Sequence, residues 1–142
     1  MARPYISPAL REQIAVDANY QCGYCHTPQS FTAMPMHIDH IIPIAAGGSS
    51  ERQNLWLACP LCNSHKGVQT EASDPETDTL VALFNPRQQN WEHHFRWSAD
   101  GTNIIGISSI GRATVLALKL NNEHFLRARR RWALAGWHPP PR

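Results

Sequence analysis

Three features of this sequence predict an α+β fold. Two Cys-x-x-Cys pairs, Cys22/Cys25 and Cys59/Cys62, bracket two short apolar segments of strand character. A capped helical pattern precedes them, and strand and helix patterns follow them. We therefore predict a small ββα core held together by the cysteines, with an N-terminal helix and an α+β C-terminal extension packed on the core.

The N-terminal helix is indicated by its start signal. Ser7 is a favoured N-cap residue, and Pro8 suits the first helical position. Leu10 and Ile14 then recur at helical spacing. We predict a helix over about 8–18 that packs against the core.

The core is predicted as a strand, a loop, a second strand and a helix. Residues 36–42 are rich in Ile, and Pro43 with the following small residues ends that strand. Residues 54–58 form the second apolar run. The helix is expected to start at Asn63 and to end near Gly67.

The chain divides by composition into three parts. Residues 1–70 are predicted to hold the core and the N-terminal helix. Residues 71–79 lack hydrophobic periodicity and are predicted to be a surface linker. The extension, residues 80–142, has a hairpin-turn signal at 98–101 and a helical pattern from Arg112 that Asn121-Asn122 divides into two helices.

Composition is that of a soluble globular protein, with 42% hydrophobic and 17% charged residues and a net charge of +2. No apolar run approaches the ~20 residues that span a bilayer, and no signal peptide is recognisable. We therefore expect a cytoplasmic protein without a membrane partner. Basic residues cluster between Lys119 and Arg131, which is compatible with a nucleic-acid partner.

The four cysteines favour a zinc site. In each Cys-x-x-Cys pair the spacing lets both sulfurs face one metal, and two pairs supply the four thiolates of a tetrahedral structural zinc. Four cysteines in close pairs in a reducing compartment favour metal over disulfides. The alternatives are two disulfides, buried free thiols or a redox dithiol.

The segment between the cysteines resembles a known family. His37-Ile-Asp39-His40-Ile-Ile-Pro43, Gly47-Gly48, Asn54 and Cys62-Asn63-Ser-His-Lys66-Gly67 are similar, in residue type, order and spacing, to the HNH endonucleases. The resemblance covers about residues 20–70. It implies the ββα-metal fold that colicin DNases share with one nuclease domain of RNA-guided CRISPR effectors, and hydrolysis of DNA phosphodiester bonds.

The resemblance also implies a role for each site residue. His40 is expected to be the general base that activates a water, and Asn54 to hold His40 in orientation across the loop. Asp39 and Asn63 are expected to bind a catalytic divalent cation, Mg²⁺ or Mn²⁺. The family often has His at the position of Asn63, so this is an HNN-type site, and its metal preference is open.

The chemistry of these residue types agrees with the resemblance. His titrates near ~6.5, which suits a base at neutral pH. Carboxylate and amide oxygens suit Mg²⁺ or Mn²⁺, which offsets charge on the phosphate. Neighbouring strand residues point to opposite faces, however, so Asp39 and His40 can share a site only if the strand twists or bulges.

Four cations are candidate phosphate contacts. His65 and Lys66 are expected in the first turn of the core helix, where a helix N-terminus favours an anion. Arg127 and Arg130 belong to the basic C-terminal segment. The alternative for all four is a solvated helix face.

The predicted partner is DNA, most simply double-stranded, although the motif does not separate DNA from RNA. One site cuts one strand, so double-strand cleavage would need a homodimer or two encounters. The rival from another class is a non-catalytic, zinc-stabilised module that binds nucleic acid or a protein.

Overall fold

A computed structural model describes residues 5–140 and confirms the α+β fold. The chain separates into two compact units. Unit 1 comprises the chain up to Thr70 together with Asn85–Arg87, and unit 2 comprises Glu71–Phe84 and the chain from Gln88. Within the described residues, unit 1 contains helices α1 (Pro8–Asp17) and α2 (Pro60–Lys66) and strands β1 (His37–His40) and β2 (Leu55–Ala58).

Helix α1 forms as the sequence predicts. The Ser7 hydroxyl accepts a hydrogen bond from the Leu10 amide at 3.1 Å, and Pro8 occupies the first helical position. Ile14 on its inner side is fully buried and packs with Ile6 and Leu55. The helix is therefore fixed to the strand pair by apolar contacts.

Strands β1 and β2 form an antiparallel pair in which His37 faces Ala58 and His40 faces Leu55. Helix α2 follows β2 directly and begins at Pro60, so the prediction that the helix starts at Asn63 was wrong by three residues. The physical reason is the second cysteine pair. The Cys59 sulfur caps the helix by accepting from the Cys62 amide at 3.4 Å, and Pro60 occupies the first helical position.

In unit 2 the segment 71–79, which we predicted as a surface linker, belongs to the unit itself and contains a strand. Glu71–Ser73 forms strand β3, which pairs antiparallel with β4 (Leu80–Ala82). Asp74 shapes the connecting turn, because its carboxylate accepts from the Glu76 amide and the Thr77 hydroxyl. Two three-residue strands with mostly exposed side chains carry no hydrophobic pattern, which is why the sequence did not reveal them.

The rest of unit 2 follows the prediction in element order, but the first of its two helices begins at Ser109, three residues before the predicted Arg112. Strands β5 (Phe95–Trp97) and β6 (Ile104–Gly106) pair antiparallel across the predicted turn. Helices α3 (Ser109–Ala117) and α4 (Glu123–Leu134) are separated at Asn122, whose side chain caps α4. None of the helices among residues 5–140 is long and apolar enough to cross a membrane.

Candidate active site

The four cysteines meet in one buried cluster in unit 1. All four sulfurs lie within 4.8 Å of one another, and those of Cys25 and Cys59 are 3.7 Å apart. A tetrahedral metal with sulfur bonds of about 2.3 Å requires sulfur–sulfur edges of about 3.8 Å. The cluster therefore has the dimensions of a four-thiolate metal site.

Burial makes negative charge in the cluster unfavourable unless a cation balances it. Desolvation is the largest cause that raises the pKa of both the Cys22 and the Cys62 thiol well above the ordinary value. Several thiolates side by side in such a site repel one another unless a metal ion balances them. Gly23 serves the cluster through close packing, since a Cβ there would lie 2.2 Å from the Trp56 ring.

A groove of about 700 Å³ is lined by all four residues of β1 and by three of the four predicted catalytic-site residues. Asp39, His40 and Asn63 all line it. Asn63 comes from the middle of α2, and its side chain makes no hydrogen bond to any residue in the described part of the chain. Consecutive strand residues thus reach one groove, with Asp39 buried and His40 partly buried.

Asp39 has two partners that the sequence analysis did not assign to it. Its Oδ2 accepts from the Tyr24 hydroxyl at 2.7 Å, and its Oδ1 accepts from the Lys66 ammonium at 3.2 Å. Burial raises the pKa of the Asp39 carboxyl, and the charge of Lys66 and the Tyr24 hydrogen bond oppose that rise. Burial and the neighbouring Asp39 raise the pKa of Tyr24 well above its ordinary value.

Lys66 is not in the position that we predicted for a phosphate contact. It lies in the last turn of α2 rather than the first, and its side chain is 2% exposed. Besides Asp39, its ammonium donates to the backbone carbonyls of His40 and Ile41 at 3.1 and 3.2 Å. Lys66 therefore ties α2 to the end of β1 instead of reaching into solvent.

Asn54 holds the loop that follows β1. Its Oδ1 accepts from the Ile42 amide at 2.9 Å, and its Nδ2 donates to the carbonyls of Ile42 and Ser49 at 2.9 and 2.7 Å. The next residue, Ser50, places its hydroxyl 3.0 Å from His40 Nε2. Asn54 thus acts on the imidazole through the loop and Ser50.

The other phosphate candidates are scattered. His65 also lies in the last turn of α2, so a favourable helix N-terminus is not available to it. In unit 2, Arg127 and Arg130 are exposed on α4, and Arg127 pairs with Glu123. Their neighbour Arg129 is fully buried and donates to backbone carbonyls, so it belongs to the core of unit 2.

Sequence reasoning missed Tyr24 and Ser50. Tyr24 stands between the first two cysteines and is fully buried, and a buried phenol needs a partner. Its position inside the first cysteine pair was the available signal. For Ser50 there was none, because its approach to His40 depends on the path of the loop.

Comparisons with known proteins point to the same segment. The family model of HNH endonucleases matches residues 22–69. The CRISPR-associated endonuclease Cas9 of Corynebacterium diphtheriae is 39% identical over 66 residues, which are 46% of this chain and 6% of that protein. Anaredoxin of Nostoc sp. is 34% identical over 67 residues, which are 46% of this chain and 83% of that protein. No solved structure matches the chain.

Proposed function

Because this chain belongs to the HNH endonuclease family through residues 22–69, we propose that it is a divalent-metal-dependent endonuclease that hydrolyses DNA phosphodiester bonds. One observation carries the proposal. His40, Asp39 and Asn63, which carry an imidazole, a carboxylate and an amide, are residues of a single groove in the matched segment. These are the groups that hydrolysis of a phosphodiester by an activated water requires.

Zinc is the metal that we propose for the cysteine cluster. Four thiolates at tetrahedral spacing saturate a zinc ion and leave no position for substrate. Its role is then structural, because it joins the loop before β1 to the start of α2. The cleavage chemistry belongs to the groove.

The groove also fits a catalytic Mg²⁺ or Mn²⁺ in donor type. Asp39 and Asn63 would hold it, since carboxylate and amide oxygens are ligands that these ions prefer. Each Asp39 oxygen already accepts one hydrogen bond, from Tyr24 or from Lys66, and a carboxylate oxygen has a second lone pair to offer. When bound, the ion would supply positive charge against the phosphate and the leaving oxygen.

His40 is the group that we assign to accept the proton of the attacking water. Imidazole is the side chain whose proton exchange suits a general base near neutral pH. The Ser50 hydroxyl at 3.0 Å from Nε2 and the loop held by Asn54 restrain the ring. Asn54 is therefore a positioning residue, and its loss would act on His40 indirectly.

The substrate that we propose is duplex DNA, and we propose Arg127 and Arg130 of α4 as phosphate contacts because both are exposed cations. One groove of this kind cuts one strand. A homodimer would therefore be required to cut both strands in a single encounter.

Cleavage of supercoiled plasmid in a panel of divalent ions tests the proposal. The wild type should produce nicked circles with Mg²⁺ or Mn²⁺, and His40→Ala should lose at least about 100-fold in rate while keeping its zinc and its circular dichroism spectrum. Undiminished cutting by His40→Ala would refute the mechanism. Binding of labelled duplex without nicking in any ion would instead identify a non-catalytic module.

A further inference from the structure

Helix α1 lies outside the segment 22–69 that the family model matches, yet one of its residues reaches the groove. Arg11 lines the groove together with His40 and Asn63. It lies one turn after the N-cap, Ser7, to whose carbonyl its amide donates at 3.0 Å. A cation from a separate element is therefore present beside the proposed reaction centre.

Arg11 differs in its charge environment from the other lysine and arginine residues that the structure describes in unit 1. Arg52 and Arg87 both pair with Asp17, and Lys66 pairs with Asp39. Within the described part of the chain the guanidinium of Arg11 makes no hydrogen bond and no ion pair, and the residue is exposed. An arginine without a carboxylate partner keeps all five donors available for an anionic ligand.

The backbone that carries Arg11 is rigid. Ile14 and Ile6 are buried against Leu55, and Leu10 and Ile38 pack onto the same cluster. The capped and packed helix therefore fixes the Cα and Cβ of Arg11. Binding through its guanidinium costs less conformational entropy than binding through an arginine on a mobile segment.

We propose that Arg11 binds a backbone phosphate of the nucleic acid strand, next to the phosphate at His40. The inference rests on the proposed function and adds a substrate contact to it. A guanidinium matches a phosphate by two parallel hydrogen bonds. The groove wall also contains apolar Met34, Pro35 and Ile44, which suit the sugar and base of a nucleotide better than a small hydrated anion.

The test measures binding in a His40→Ala background, so that cleavage does not interfere. Fluorescence anisotropy of a short labelled DNA duplex is recorded between about 50 and 200 mM salt. Arg11→Ala should raise Kd about 5- to 10-fold and reduce the slope of log K against log salt by about 0.9, the value for one lost phosphate contact. Arg11→Lys should keep the slope, since the charge remains.

Arg52→Ala is the matched control, because it removes one exposed arginine from the same unit but leaves the groove intact. Its slope should equal that of the parent. In the cleaving protein, Arg11→Ala should raise KM with little change in kcat, as expected for a contact made equally in the ground and transition states. A purely structural role would not produce the slope change or its rescue by lysine.

The outcomes separate this inference from the proposed function. If Arg11→Ala binds with an unchanged slope while the wild type nicks plasmid, the Arg11 inference is overturned and the endonuclease proposal stands. If the slope falls by about one but no divalent ion supports nicking, the phosphate contact stands and the endonuclease proposal is overturned. Absence of duplex binding by the parent overturns the Arg11 inference, and only absence of nicking by the wild type as well overturns both.

Discussion

Replacement of Lys66 by methionine is the sharpest test of the buried ion pair. The Lys66 and Asp39 side chains are 2% and 5% exposed, and their charged atoms are 3.2 Å apart. At that distance two charges attract by about 5 kcal/mol with an effective dielectric constant near 20. The cost of removing both ions from water offsets much of this attraction. Loss of one partner, however, leaves the other as a buried charge without a counter-ion.

We expect Lys66→Met to lower the free energy of opening of unit 1 by about 3–5 kcal/mol, the cost of leaving a buried charge without its partner. Asp39 would keep only the Tyr24 hydroxyl, and the carbonyls of His40 and Ile41 would lose their lysine donor. This loss is a large fraction of the 5–15 kcal/mol that stabilises a typical domain.

Hydrogen–deuterium exchange of peptides from β1 and α2 measures this opening directly. Protection there should fall by about two to four orders of magnitude, at about 1.4 kcal/mol per factor of ten. Lys119→Met is the control, because the only other lysine of the chain is exposed and its replacement should change stability by less than about 0.5 kcal/mol.

A double variant shows whether the loss of stability comes from the unpaired Asp39 charge or from the changed shape of the residue 66 side chain. Adding Asp39→Asn to Lys66→Met removes the stranded carboxylate, so the double variant should be at least about 1 kcal/mol more stable than Lys66→Met alone. If Lys66→Met retains wild-type protection in β1 and α2, the ion pair does not stabilise unit 1 and the reasoning fails.

Three further results are expected. Gly48→Ala should impair plasmid nicking and destabilise the loop after β1, since the Cβ of the alanine would lie 1.7 Å from the Ile42 carbonyl oxygen. Gly47→Ala should lower the free energy of unfolding by only about 1 kcal/mol, because Gly47 has open space around it and only its φ of +90° disfavours alanine. Equal losses of stability for Gly48→Ala and Gly47→Ala in urea denaturation would contradict this account. Removal of the metal by a chelator should abolish exchange protection in unit 1, and a fully protected metal-free protein would show that the cysteine cluster is not a structural metal site. The Arg112 pair holds the pKa of Asp74 well below its ordinary value of about 3.9, so its stabilisation is present above that pH and is lost as the pH falls below it. Tryptophan fluorescence in urea should therefore show a steeper loss of stability below about pH 4 for the wild type than for Asp74→Asn, and parallel curves would argue against the ion pair.

Elements with local signals were predictable from the sequence. The α1 cap at Ser7, the hairpin turn between β5 and β6 and the Asn122 cap of α4 each depend on residues within a few positions of one another. The order and spacing of Asp39, His40 and Asn63 likewise identify the family without any structure. Segment 71–79 lacked such a signal, because its strands are short and mostly exposed.

The sequence by itself determined which residues can bind metal and act as a base, because residue type and spacing decide that chemistry. Only the tertiary structure decided which groups meet Asp39. Tyr24 and Lys66 lie 15 and 27 positions away along the chain, and they converge on it because the cysteine cluster closes the core around β1. The same closure turns Lys66 inward and leaves Arg11 at the groove. Burial and long-range packing set these contacts, and neither can be read from local pattern.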